Sequence, residues 1–360
     1  MTTGAIEENT FISGFVPVSS WKDIRLDLID STLPDSDNHP DWDSAYKLLE
    51  ERIVTRFIDP IKWILAKKKD AGEGFSAVAL QCILIEFLEA LYEGKVYTTS
   101  KTPRGFEYHS SKELFCNFLM NRKPFSDHFK LRTNAEGFFN NIRCGLLHEA
   151  ATQESSRINH ALTHDMIVLF EKDDPTNMRI YRENFFKAVL QFFEEYKKNL
   201  LTSAELKTNF IRKMDDICGI RHEYYFAYGS NMFPPRLRER IKKYHCGSQA
   251  TASGYEFTYN KKGADKTAKA NLKSLTGGQV YGVCFEIDKE DFNKLDGYEK
   301  EYERCCIKLR INGKDEIVDT YISSLTDENI APSGEYKDLV LRGAKYWGLE
   351  EQYVSNYLDK

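Results

Sequence analysis

Three short stretches of this chain hold residues whose types and spacing suit chemistry. The first is Tyr225-Phe226-Ala227-Tyr228-Gly229-Ser230-Asn231-Met232. Its apolar start reads as a buried strand, which Gly-Ser-Asn then breaks. A glycine at such a turn lets backbone N–H groups come close to a ligand, and Ser230 and Asn231 add side-chain donors and acceptors. The second is Leu295-Asp296-Gly297-Tyr298-Glu299, followed by Tyr302 and Arg304. Asp296 and Glu299 are two carboxylates able to carry a proton. Taken bare, Glu299 belongs to the charged run Glu299-Lys300-Glu301, which suits a solvated surface equally well. The third, Asn140 to Glu149, holds Arg143 and His148. Histidine moves protons near neutral pH and arginine steadies a phosphate.

The elements that must position these residues follow from periodicity and breakers. Residues 1–40 read as mostly irregular, with a short strand in Phe11 to Val18 and a loop from Leu33 to Pro40. Asp41 or Asp43 caps a helix running to about Lys69, which Pro60 should kink or divide. Phe75 to Tyr92 is apolar on most sides, as expected of a helix central to a bundle. Ser110-Ser111-Lys112-Glu113 has the form of a capping box opening a third helix to about Asn121, and a fourth runs from about Asn134 to Ala150. Met166–Glu171 and Met178–Arg182 suggest a hairpin. Two further helices are expected over Glu183–Leu200 and Ser203–Cys218. The spacing places Arg143 and His148 about 140° apart on an ideal α-helix, so they converge only if the arginine folds across or two protomers meet there.

The remainder of the C-terminal third adds Ala270-Asn271-Leu272, the strand Gly278 to Phe285, Ala331-Pro332-Ser333-Gly334-Glu335-Tyr336, Arg342-Gly343-Ala344-Lys345 and Gly348-Leu349. In this order, and with the first two stretches, these motifs resemble the γ-glutamylcyclotransferase superfamily, small mixed β-barrel enzymes that include AIG2-like proteins. The resemblance covers roughly Tyr224 to the C-terminus. It implies an intramolecular reaction: the α-amino group of a γ-glutamyl unit attacks its own side-chain carbonyl, closes 5-oxoproline and expels an amine. It places Glu299 at the catalytic acid/base position in preference to Asp296. It gives substrate binding to Tyr228, Gly229, Ser230 and Asn231, and lines the pocket with Tyr302 and Tyr336. No metal and no other cofactor is implied. The partner is a small γ-glutamyl compound: a free dipeptide, an amine or a lysine isopeptide. Lys300 departs from the family, many of whose members carry glycine there. Arg304 suits an exterior salt bridge as well as a site.

Arg143 and His148 carry a thinner resemblance, to the HEPN superfamily of helical domains, whose Arg-x4-His motif marks metal-independent ribonucleases of toxin or defence type. It implies RNA as a partner and a homodimer through the helical domain. Cys144 replaces the polar residue usual after the arginine.

Composition bounds these readings. The chain has 360 residues, 41% hydrophobic and 29% charged, with a formal net charge of −5. That is ordinary for a soluble protein of two or three domains and argues against a broadly basic nucleic-acid surface. Eight cysteines without Cys-x-x-Cys pairs or zinc-ligand spacing read as reduced thiols. With no signal-peptide pattern at the N-terminus, and Ala77–Tyr92 interrupted by Glu86 and Glu89, the expectation is a cytoplasmic protein without membrane attachment.

The expected architecture is α+β in two domains. A mainly helical domain spans 1–202, a connecting helix 203–221, and a γ-glutamylcyclotransferase-like mixed β-barrel with helices 222–360. The function expected first is cyclotransferase catalysis by Glu299. Its rivals are a ribonuclease using Arg143 and His148, with the barrel as sensor, and a pair of binding modules without chemistry.

Overall fold

The computed structural model describes residues 11–14, 16–32, 39–67, 72–101, 103, 106–160 and 165–359. Two compact units emerge: one holds Met1–Arg25 and His39–Cys218, the other Leu26–Asn38 and Gly219–Lys360.

The first unit opens with a short pair, β1 (Phe11–Ser13) and β2 (Val16–Pro17). Helix α1 (Val18–Ser31) follows, where the sequence suggested irregular chain. Its anchors within this unit are polar: Trp21 Nε1 and Arg25 both donate to the buried Asp215 carboxylate at 2.6–2.7 Å. Such long-range pairs leave no local periodic signal. The loop expected over Leu33–Pro40 lies mainly outside the described residues.

Asp41 caps α2 (Trp42–Ile53) by accepting from Ser44 N–H at 3.0 Å. Pro60 divides the segment as expected. The chain passes through a π turn at Val54–Ile58 before α3 (Asp59–Ala66), which carries Pro60 in its first turn, where the missing N–H costs least. Helix α4 (Glu73–Tyr92) is the centre of the unit, touching α3 and three helices defined below. It is longer than the apolar stretch first suggested, and by length and composition alone would suffice to cross a membrane. Yet 61% of that window is buried within the protein. Its Glu89 is fully buried and forked by Arg122 at 2.8 and 2.9 Å.

Two short strands, β3 (Val96–Tyr97) and β4 (Glu107–Tyr108), precede α5 (Ser111–Asn121). Ser110 is the N-cap of α5, but its side chain makes no capping bond. The box does not close because Glu113 is drawn to Arg132. Helix α6 (Arg132–Phe138) continues directly into a π-helical run, Phe139–Glu149, that ends at left-handed Ala150. The hairpin forms from β6 (Val168–Phe170) and β7 (Met178–Tyr181), and an unforeseen β5 (Arg157–Asn159) joins β7 in parallel. Helices α7 (Arg182–Thr202) and α8 (Ala204–Ile217) complete the unit, α8 capped by Ser203 through Leu206 N–H. Helix α4 packs on α5, α7 and α8.

The second unit is built on a closed five-stranded barrel: β8 (His222–Ala227), β9 (Tyr244–Lys262), β10 (Ala268–Asp288), β11 (Glu303–Ile311) and β12 (Lys314–Ile322) in the order β10-β8-β12-β11-β9. Only β8 and β12 run parallel. β9 and β10 form one long hairpin whose register shifts between Ser274 and Gln279. This is why the sequence shows two apolar pieces, Ala270–Leu272 and Gly278–Phe285, where the structure has one bent strand. Gly254 and Gly277 take positive φ near that bend. Phe226, Val283, Phe285 and Val318 are fully buried in the barrel core.

Three helices seal the barrel. α9 (Pro234–Arg238) follows β8, α10 (Lys289–Tyr298) joins β10 to β11, and α11 (Gly334–Tyr346) follows β12. The eight cysteines, all among the described residues, form no disulfide.

Candidate active site

β8 delivers the first stretch to the barrel mouth. Its ladder with β10 ends at Ala227 opposite Val283, and Tyr228-Gly229 then leads into a tight turn over Ser230–Met232. Gly229 is required by proximity: a Cβ there would lie 2.9 Å from the Ala270 Cβ and 3.2 Å from the Tyr336 hydroxyl. Gly343 serves the same turn from α11, since a Cβ on it would meet the Met232 Cβ and Phe233 N at 2.7 Å. Met232 and Ser230 are buried, and Asn231 is 4% exposed.

Helix α10 delivers Glu299. The helix buries Phe292 and Leu295, which seat its last turn. Glu299 is the residue that ends it: its N–H donates to Leu295 O at 2.8 Å and its carbonyl accepts from Tyr302 N–H at 3.1 Å. Glu301 takes the left-handed conformation in the tight turn that follows, with φ +67°. A carboxylate at a helix C-terminus meets the negative end of the dipole, so it needs a compensating partner. Arg240 provides one, donating through Nη1 to Glu299 Oε1. Asn231 Nδ2 donates to the same oxygen at 2.9 Å and also reaches the Tyr225 hydroxyl at 2.7 Å.

With the amide nitrogen of Asn231 committed to a carboxylate and a phenol, its Oδ1 is the acceptor left over. That atom is buried and has no partner among the described residues. An orphaned acceptor beside a carboxylate is a natural place for an ammonium group.

These groups line a cavity of about 360 Å³. Tyr228, Gly229, Ser230, Asn231, Glu299, Tyr302 and Tyr336 all border it, so the residues expected from sequence meet in one place. Tyr302 donates its hydroxyl to Ala270 O at 2.6 Å, and Tyr336 accepts from Ala270 N–H at 3.1 Å. The two phenols thus hold one residue of β10 from both sides. Tyr228 donates to Tyr321 O. Burial pushes the phenols of Tyr225, Tyr228, Tyr302 and Tyr336 above the usual tyrosine range, so all four remain neutral hydrogen-bonding groups.

Asp296 does not border the cavity. Its carboxylate accepts from the Tyr321 hydroxyl at 2.8 Å and pairs with Arg304 at 3.4 Å, which assigns Arg304 an exterior role. Lys300 is exposed at the cavity rim. Sequence reasoning missed Arg240, Tyr225 and Lys261. Arg240 lies in Arg236-Leu237-Arg238-Glu239-Arg240, where nothing in the spacing singles it out. Lys261 reads as one of two surface lysines, yet it is only 4% exposed, with its ammonium 2.8 Å from Glu301.

The family model described as gamma-glutamyl cyclotransferase, AIG2-like, matches residues 225–338. The C-terminal region carries a γ-glutamyl cyclotransferase, AIG2-like domain. Relatives called gamma-glutamylcyclotransferase are similar to it: that of Homo sapiens is 27% identical over 139 residues, and that of Bos taurus 28% over 142. Each alignment covers 36% of this chain and 73% of the relative. Among solved structures, a gamma-glutamyl cyclotransferase aligns with 39% of this chain and 87% of its own, at 23% identity and a TM-score of 0.36. YkqA from Bacillus subtilis aligns with 38% of this chain and 52% of its own, at 23% identity and a TM-score of 0.34.

These matches fall in the cyclotransferase-like domain and give no support to the HEPN resemblance of the helical unit. In that unit Arg143 donates to Glu86 at 3.1 Å and to Ser111 at 3.2 Å. His148 is exposed near the C-terminus of the π-helical run and has no hydrogen-bond or ion-pair partner among the described residues. The run is π-helical rather than α-helical, which lessens the 140° separation expected of the pair, but Arg143 is engaged by Glu86 and Ser111.

Proposed function

We propose that the C-terminal unit is a γ-glutamylcyclotransferase-type enzyme with Glu299 as its general acid/base. The observation that carries this reading is the convergence of Glu299, Asn231 and Arg240 at the floor of one tyrosine-lined cavity. The relatives' name indicates the reaction class.

The γ-glutamyl unit enters with its ammonium toward Asn231 Oδ1 and Glu299. Glu299 removes a proton, and the freed amine attacks the γ-carbonyl carbon. The ring C–N bond forms, and as the old amide C–N bond breaks Glu299 passes that proton to the leaving nitrogen, while the ring nitrogen sheds its second proton through the freed carboxylate to the departing amine. 5-Oxoproline and an amine or amino acid result. Because the nucleophile is tethered to its target, the cavity has chiefly to hold the substrate curled and dry. Arg240 and Asn231 fix the carboxylate for both proton transfers.

The cavity wall also favours one kind of substrate. Lys261, Lys269 and Lys300 border it, with Lys261 behind Tyr302 and Lys269 lying 4.7 Å from the Tyr336 ring centroid. Such a wall suits a leaving group that carries a carboxylate, so γ-glutamyl amino acids are expected to react with higher kcat/KM than γ-glutamyl amines. The test is mass spectrometry for 5-oxoproline after incubation with γ-glutamyl dipeptides, γ-glutamyl amines and the γ-glutamyl-ε-lysine isopeptide. Product from at least one class is expected. Absence of product from all three would overturn the reading. The ribonuclease reading is not favoured, because Arg143 is occupied by Glu86 and Ser111.

A further inference from the structure

Two histidines and two carboxylates meet where β8, β9 and β10 run side by side. Glu286 and Asp288 lie two residues apart on β10 and so share a face of the sheet. The ladder sets His222 of β8 opposite Asp288 and Cys246 of β9 opposite Glu286, with His245 next to Cys246. His222 Nδ1 contacts Glu286 Oε1, and His245 Nε2 lies 2.6 Å from Asp288 Oδ1. The two imidazoles stack with centroids 3.7 Å apart. The side chains of His222, Glu286 and His245 are 1%, 0% and 2% exposed, and that of Asp288 is 25% exposed. None of the four borders the cavity at Glu299.

Collecting so many titratable groups on a buried sheet face is costly, and apolar residues of similar volume would be cheaper. Imidazole and carboxylate are also the ligands that divalent transition metals of the zinc class take. One ligand atom from each of His222, His245 and Asp288 lies within 4.8 Å of the others. We propose that His222, His245 and Asp288 form a binding site for a zinc-class divalent cation, with Glu286 as the outer carboxylate that orients His222.

The geometry suits this role in two respects. A carboxylate on Nδ1 fixes the histidine tautomer that ligates through Nε2, the arrangement common behind metal-bound histidines. Ligands about 2.0–2.1 Å from a tetrahedral metal stand roughly 3.3 Å from one another. His245 Nε2 and Asp288 Oδ1 lie closer than that, at 2.6 Å, and the ligand atoms of all three residues fall within 4.8 Å, so side-chain adjustments of an ångström or so bring them onto one ion. Its effect is to tie together three neighbouring strands, one of which leads into the Tyr228–Asn231 loop.

The test is calorimetric titration of the full chain, after chelator treatment, with zinc chloride, together with its thermal unfolding with and without zinc. The expected result is one equivalent bound and a higher Tm with zinc. Asp288→Asn touches the most accessible ligand and should leave the chain folded while weakening zinc binding by about ten-fold or more. Absence of stoichiometric binding by the unsubstituted chain would overturn the proposal. So would stoichiometric binding that Asp288→Asn leaves unchanged. Neither readout depends on cyclotransferase activity.

Discussion

At the scale of single residues the account rests on one carboxylate held by two donors. Arg240 offsets a negative charge at the end of α10, and Asn231 holds the same oxygen while its own carbonyl oxygen has no partner among the described residues. Arg240→Ala should therefore lower kcat by about ten-fold or more through loss of orientation, with a smaller change in KM. Arg240→Lys keeps the charge without the planar guanidinium and should recover part of the loss. Steady-state kinetics of both variants, beside circular dichroism to confirm folding, check this; an unchanged kcat in Arg240→Ala would remove Arg240 from the site. Glu299 was legible because its neighbours Leu295, Gly297 and Tyr302 fall in the family's pattern. Arg240 was not, because a long side chain reaching across from another segment leaves no periodic trace, and its arginine-rich surroundings read as solvated surface.

At the scale of elements, helix α10 is the lever that places Glu299. Leu295 is fully buried beneath its last turn, so Leu295→Ala should cost about 2–5 kcal/mol of stability. It should also reduce activity beyond the unfolded fraction, since the displaced turn carries Glu299. Thermal unfolding and activity per folded molecule separate the two effects.

In the helical unit, α4 buries Glu89, and burial raises its carboxyl pKa to about 7 despite the fork from Arg122. A carboxyl whose folded pKa is raised above the ordinary 4.5 binds its proton more tightly in the folded state. Its stabilising effect is full below pH 4.5 and is lost as pH rises through 7. Glu89→Gln mimics the protonated form, so its stability relative to the unsubstituted chain should improve by up to about 3 kcal/mol across that window. Denaturant unfolding at pH 5 and pH 8 tests it, and a difference independent of pH would contradict the assignment. The helices of this unit were legible from periodicity and from caps such as Asp41 and Ser203. Helix α1 was not, because its polar anchors to Asp215 come from a distant segment. Strand β10 was half legible, since the bend at 274–279 interrupts its alternation with exposed residues, and β9 was not read at all.

At the scale of the molecule, two units divide the chain and the barrel unit holds all the proposed chemistry. A core substitution confined to the helical unit, such as Leu88→Ala on the buried face of α4, should lower stability by about 2–5 kcal/mol while sparing turnover per folded molecule. Calorimetry together with the 5-oxoproline assay checks this, and a matching fall in specific turnover would show that catalysis draws on the helical unit as well. The central claim is that Glu299, rather than its neighbour Asp296, moves the protons of ring closure. Its most direct test compares 5-oxoproline release by the unsubstituted chain, Glu299→Gln and Asp296→Asn on the best γ-glutamyl substrate. The account predicts a loss of about 10²–10⁴-fold in kcat for Glu299→Gln and near-full activity for Asp296→Asn. Undiminished product from folded Glu299→Gln would contradict it.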